Sequence, residues 1–250
     1  MKLPLKFRPK YSYDLIRIGS KHDGGYLIEK TSYDKSKFLF SFGVSTNWDF
    51  EKDFIKKNKI NFLAFDGSIN NEFWLRKRKI ALDKVKSLSF KKIFEYFYLK
   101  KSFKSFFNNK NFYSKFISNS LKNSITFDTA LSLSNIKNDL FFKIDIEGSE
   151  YDFLDDLIKN QDKINGLAIE FHQCNANLDK LLDFIVSFKL DLVHIHANNY
   201  DNLNNKIIPD TLEISFSKNP RILNGFQKLP HRLDSPNRSK NKEIQIDFDD

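Results

Sequence analysis

Lys143, Asp145 and Glu147 sit two residues apart in KIDIEGSE, with Ile144 and Ile146 between them. In an extended segment the three ionisable groups share one face and the isoleucines take the other. Three charged groups in a row are costly inside a core, so they are expected to line a polar cleft. The alternation recurs twice. Glu170 and His172 share a face in IEFH, as do His194 and His196 in VHIHANN. With His22, four of the five histidines fall at expected strand ends or turns. Such a set suits proton transfer near neutrality, because imidazole titrates there. Asp145, Glu170 and His172 could instead hold a divalent metal; mixed oxygen and nitrogen ligands suit Mg or Mn.

These side chains need strands that end together. Apolar runs supply them: FLFSFGVS (38–45), NFLAFDGS (61–68), DLFFKIDIEG (139–148), GLAIEFH (166–172), LDLVHIHA (190–197) and TLEISFS (211–217). Helical stretches lie between, at 48–58, 150–160 and 177–189. The last carries Leu178, Leu181, Leu182, Ile185 and Phe188 on one face. Buried runs alternating with helices read as an α/β fold around a mainly parallel sheet. Residues 198–210 show no helical pattern, so the last strand is expected to return antiparallel. DLIRIG (14–19) and GYLIEK (25–30) read as an N-terminal β-hairpin. The tail from about 230 to 250 reads as extended. Ligands of open parallel sheets bind beyond the carboxyl ends of the strands. Gly43 ends the first run, where glycine allows a close backbone approach to a ligand. Asp66 follows 23 residues later, an interval suited to accepting bonds from ribose hydroxyls. The GxGxxG fingerprint is absent, which counts against a pyrophosphate cofactor.

The chain carries 41 Lys+Arg against 32 Asp+Glu, a net +9. From 74 to 122 there are fourteen basic residues and two acids, Asp83 and Glu95, while the remainder is slightly acidic. The same stretch is aromatic. Phe90, Ile93, Phe94 and Phe97 recur at helical spacing, followed by Phe103, Phe106 and Phe107. It reads as one or two amphipathic helices. They either pack on the domain with a solvated basic face, or form a cap that attracts an anionic substrate or rests on a membrane surface. Only seven of the basic residues are arginines, which argues against a DNA partner. The sole cysteine, Cys174, excludes an intrachain disulfide. With no signal-like start and no apolar run of spanning length, a cytoplasmic protein is expected, or one at the inner face of a membrane.

Together DGGY (23–26), FGVS (42–45), AFDGS (64–68), KIDIEGSE (143–150), IEFH (169–172) and HIHANNY (194–200) resemble the FkbM-like family of S-adenosylmethionine-dependent methyltransferases. The resemblance covers roughly 12–72 and 123–236. It implies one Rossmann-like class I methyltransferase domain, with a mainly parallel seven-stranded sheet and an antiparallel last strand. The hairpin and the basic aromatic helical insertion are additions to it. By position, Gly43, Ser45 and Asn47 would approach the methionine part of the cofactor, and Asp145 would lie near it. Asp66 would hold the ribose, with Gly67 and Ser68 near the adenine. Asp128 would be close to the cofactor or cap the helix that follows it. Only one glycine follows the first strand, where many class I enzymes have two or three.

The resemblance implies methyl transfer to a hydroxyl. The acceptor proton then needs a base: His172 first, then Asp145 and Glu147. Lys143 would orient the acceptor or hold a developing alkoxide. His194, His196, Asn198 and Asn199 are expected to contact the acceptor. DIEG stands where enzymes acting on base amines often carry [DN]PP[YF], which argues against a nucleobase amine. The basic segment points to a sugar bearing phosphate, nucleotide-activated or lipid-linked, in surface-glycan biosynthesis. Two alternatives are an RNA-directed methyltransferase and a non-catalytic binding protein of the same fold.

Overall fold

A computed structural model describes residues 2–86, 90–200 and 208–249. Nine strands and seven helices position the site. The strands are β1 (Leu15–Gly19), β2 (Gly25–Glu29), β3 (Phe38–Phe42), β4 (Asn61–Phe65), β5 (Phe112–Tyr113), β6 (Leu140–Ile144), β7 (Ile164–Phe171), β8 (Asp191–Ala197) and β9 (Leu212–Ser217). The helices are α1 (Lys30–Lys35), α2 (Asp49–Asn58), α3 (Asn71–Lys86), α4 (Lys91–Phe106), α5 (Phe127–Ser132), α6 (Leu154–Asn160) and α7 (Leu178–Ser187).

The last seven strands form one sheet in the order β8-β9-β7-β6-β3-β4-β5. Every pair is parallel except those made by β9, which runs antiparallel to β7 and β8. This is a Rossmann-like, mainly parallel seven-stranded sheet, and its last strand is antiparallel as expected. β9 does more than return beside β8, however: it inserts between β8 and β7. Residues 201–207 of the connection lie outside the described residues.

Alternation along the strands divides the core. Phe38, Phe40 and Phe42 of β3 join Leu140, Phe142 and Ile144 of β6 and Leu167, Ile169 and Phe171 of β7 on one face. Phe40 and Phe142 stack there at 5.0 Å. The other face takes Leu39, Phe141 and Ala168, against Phe50 and Phe54 of α2. The β1–β2 hairpin covers part of this second face, with Ser215 Oγ donating to Leu27 O.

The 74–122 segment departs from the expected cap. Its helices α3 and α4 pack on each other, but the chain then supplies β5, the edge strand of the sheet. The inner end of α4 is core. Phe103 and Phe107 pack on Trp48, and Phe106 stacks on Phe62. The outer stripe is reversed from expectation: Phe90, Phe94 and Phe97 are exposed. Among the described residues no helix is long and apolar enough to cross a membrane.

Candidate functional site

Polar residues gather at the carboxyl ends of the central strands, on the hairpin face. Lys143 pairs in register with Ser41 of β3 and Ala168 of β7, and Glu170 pairs with Glu213 of β9. Paired residues point to the same face, so apolar positions below give way to one row of polar groups at the strand ends. A cavity of about 430 Å³ opens there. Lys143, Asp145, Glu147, Glu170, His172, Ser45, Asn47 and Asn198, all candidates from the sequence, line it.

The chain turns sharply where it leaves these strands. Ser45, Glu147 and Gln173 have φ of 50°, 56° and 52°, left-handed values uncommon outside glycine. Such strain gathers at functional sites because surrounding contacts must hold it. The extended reading of KIDIEGSE therefore holds only to Asp145, whose N–H donates to Phe42 O at 2.9 Å. Glu147 lies beyond the strand with its side chain exposed. Gly43 has φ of 77°, and a Cβ there would lie 1.6 Å from Asp145 O. Its close approach is thus to the neighbouring strand end, while the residue also borders a cavity.

Lys143 is buried and donates to Gly43 O at 2.6 Å and Asp145 Oδ2 at 3.2 Å. Burial pulls its pKa down, but Asp145 and Glu51 outweigh that and hold it raised. Glu170 lies well above the usual carboxylate range, through burial and then the charges of Asp145 and Glu213. It accepts from Tyr26 Oη at 3.0 Å and Asn198 Nδ2 at 2.9 Å.

His172 is gripped by Glu150, which is fully buried. Glu150 Oε1 accepts from His172 N at 2.6 Å and lies 3.3 Å from Nδ1. Nε2 lies 3.6 Å from both Glu147 and Glu170. Burial lowers the imidazole pKa, but Glu150, Glu170 and Asp145 together raise it to about 9. This corrects the expectation of a ready base: near neutrality the ring is an imidazolium. Asp145 and Glu147, the other two candidate bases, border the same cavity.

Three contributors escaped the sequence reading. Tyr26 Oη, from the hairpin, reaches both Glu170 and Asp145, the latter at 3.3 Å. Glu51, in the first turn of α2, is 1% exposed. One of its oxygens accepts from Ser41 Oγ; the other, Oε2, has no hydrogen-bond partner among the described residues, and the residue borders the cavity. Glu150 belongs to KIDIEGSE, and that motif was the one available signal for it.

A second cavity, of about 240 Å³, adjoins the first at Ser45, Asp145 and Glu147. Phe65, Phe116, Ile117 and Ile146 give it apolar walls, and Gly43, Asp66 and Ser68 border it. Asp66 holds the loop itself. Its Oδ2 accepts from Val44 N and Ser45 N, and its Oδ1 from Ser68 N and Oγ. A ribose would have to exchange with one of these bonds. Gly67 is covered by the Phe116 ring, 2.3 Å from where a Cβ would be.

Four expected site residues lie elsewhere. His194 and His196 are buried but line neither cavity. They fasten the C-terminal tail. His194 Nε2 meets Asp234 Oδ1 at 2.9 Å, and His196 meets Glu213 and Glu243. Asn199 donates to the carbonyls of Arg238 and Asn241 and accepts from Arg238 N. Substrate contact is thus replaced by a strapping role, because the tail covers this end of the sheet. His22 likewise meets Pro236 O, at 2.8 Å. Asp128 is exposed and pairs with Lys159 at 3.1 Å, away from both cavities. The cap of α5 is Thr126, whose side chain accepts from Thr129 N.

The expected metal set also changes. Asp145, Glu147 and His172 offer ligand atoms within 4.8 Å of one another. Glu170 is occupied instead with Tyr26 and Asn198.

No protein-family model matches this chain, and no curated protein matches it in sequence. Among solved structures it is similar to a precorrin-6y C5,15-methyltransferase from Geobacter metallireducens GS-15, at 10% identity and a TM-score of 0.38. That match covers 74% of this chain and 82% of the other.

Proposed function

We propose that this protein is an S-adenosylmethionine-dependent methyltransferase acting on a hydroxyl. One observation carries the reading: at the strand ends of a class I fold, an acid-lined cavity adjoins an apolar one. Asp23, Glu51, Asp145 and Glu147 border the first, against Lys143 and His172, while burial holds Glu170 in its uncharged form. This excess of carboxyls favours a cationic ligand, and the cofactor carries both a sulfonium and an ammonium. The unpartnered Glu51 Oε2 is a ready acceptor for such an ammonium. The Phe65, Phe116 and Ile117 walls suit an adenine. The residues therefore fit the cofactor.

When bound, the cofactor supplies an electrophilic methyl group. The chain's own residues align the acceptor and take its proton, and alignment supplies a large share of such rates. Lys143, bonded to Gly43 O and Asp145, fixes the loop after β3 against the end of β6. Asp145 or Glu147 receives the hydroxyl proton. His172 takes that role above about pH 9, or sooner where a bound cation repels its proton. The proximity of Asp145, Glu147 and His172 supports a second version, in which Mg or Mn orients the acceptor oxygen. Activity with and without a chelator separates the two.

The acceptor we favour is a sugar hydroxyl on a nucleotide-activated or lipid-linked sugar. Its phosphate would lie outside the acid-lined cavity, toward the basic segment, whose Phe103 packs on Trp48 beside Asn47 of the rim. Calorimetry with S-adenosylmethionine tests the cofactor, and absence of binding would leave only a non-catalytic role. A methyl-transfer screen over sugars and their nucleotide forms tests the acceptor. Equal activity on the neutral sugar would remove the phosphate from the proposal.

A further inference from the structure

The outer face of α4 carries large apolar side chains that the described residues leave open to solvent. Phe94 is 72% exposed, Phe97 61% and Tyr98 77%, and Phe90 just before the helix is 55% exposed. Scattered exposed apolar residues are ordinary, but a contiguous aromatic patch marks an interaction surface. Phe90, Phe94, Phe97 and Lys101 follow each other at three- and four-residue steps, so they share one side of the helix. Lys91, Lys92 and Lys104 flank them. On α3, Leu75, Arg78, Lys79 and Leu82 line a shallow groove of the same mixed character.

Charge decides what this surface fits. Between 74 and 122 the chain has fourteen basic residues against Asp83 and Glu95, so the partner is anionic. A second copy would bring the same positive field to a self-complementary contact and be repelled. RNA is anionic and can stack bases on aromatics, but it gains little from aliphatic side chains. Leu75, Ile80 and Leu82 are 63%, 48% and 44% exposed. A lipid interface accepts both kinds, with apolar side chains at the headgroup boundary and lysine stems reaching back to the phosphates.

We propose that the α3–α4 hairpin docks the protein on an anionic membrane surface, through Phe94, Phe97 and Tyr98 together with the surrounding lysines. The contact is peripheral and reversible. Electrostatic attraction of the basic residues to the anionic headgroups adds to the shallow apolar insertion. The proposal stands apart from methyl transfer, since its test reads binding to lipid and not catalysis.

The experiment is vesicle sedimentation of the full chain. One set of vesicles is neutral phosphatidylcholine; the other holds roughly one-third phosphatidylglycerol. Binding to the anionic set is expected, weakening about tenfold or more between about 0.1 M and 0.5 M salt. Phe94→Ser with Phe97→Ser, both at exposed positions, should weaken it about tenfold while leaving the circular dichroism spectrum unchanged. Lys91→Glu with Lys101→Glu should do the same. The proposal is overturned by absence of vesicle binding, by equal binding to neutral vesicles, or by serine variants that bind like the parent. It is also overturned if an RNA oligomer is captured while vesicles are not, or if the parent dimerises and the serine pair abolishes the dimer.

Discussion

Replacing Gly43 with alanine tests how the site is built. Gly43 has φ of 77°, and an added Cβ would fall 1.6 Å from Asp145 O and 2.7 Å from its carbonyl carbon. Both atoms are backbone, so no side chain can swing away. The left-handed conformation alone costs an alanine about 1–2 kcal/mol. Relieving the clash must separate the ends of β3 and β6. That endangers the bonds from Asp145 N to Phe42 O and from Lys143 Nζ to Gly43 O. Leaving one such buried group unpaired costs about 1–3 kcal/mol. The total is about 2–5 kcal/mol, or a fall in Tm of about 5–20 °C for a chain of this size. Gly148→Ala is the control. It has φ of 107°, but its Cβ would meet only the Gln173 side chain, at 3.2 Å, so only the conformational part applies. Urea denaturation of the three proteins gives the comparison. A Gly43→Ala midpoint equal to that of Gly148→Ala would refute the claim that the two strand ends meet too closely for any side chain.

Three further outcomes follow from the buried charges. Lys143→Met leaves Glu51 and Asp145 facing each other without the ammonium, and should cost about 3–5 kcal/mol in urea denaturation; adding Glu51→Gln should recover part of that, and a cost below about 0.5 kcal/mol would show that Lys143 is not the counter-charge. His196 holds its proton to about 10, above the ~6.5 of an unfolded imidazole. Its bonds to Glu213 and Glu243 therefore stabilise fully below about pH 6.5 and are lost as pH rises through about 10; the stability difference between parent and His196→Gln, followed with pH, should shrink in that window and not below it. His172 should titrate near 9 by NMR, and Glu150→Gln should lower that midpoint; a parent midpoint near 6.5 would restore His172 as the base at neutrality.

Much of the fold was legible because buried strands leave a local record. Runs such as FLFSF and LFFKI must be apolar on both faces, and a polar residue at their ends breaks the pattern where solvent or ligand begins. That record gave six of the seven sheet strands, the antiparallel last strand and the polar row of Lys143, Asp145, Glu170 and His172. It missed β5, whose two residues are too few to show a period and are set in a segment dominated by helix.

Alternation names the face a side chain points to; it does not say what covers that face. His196 pairs with Glu213, which pairs with Glu170, so the three stand in one row of one face. The row ends in a cavity at Glu170 and under the C-terminal tail at His196, and only the folded chain decides which. Tyr26, Glu51 and Glu150 show the same limit. Each enters the site from a different element, by packing between residues far apart in sequence. The charge of residue 172 follows from that packing as well. Histidine by type titrates near neutrality, but the carboxylates brought around His172 hold its proton to about 9. Residue type and spacing therefore determined the fold class and the place of the cleft. Tertiary packing decided which of those residues reach it and in what protonation state, because burial and neighbouring charge belong to the folded chain alone.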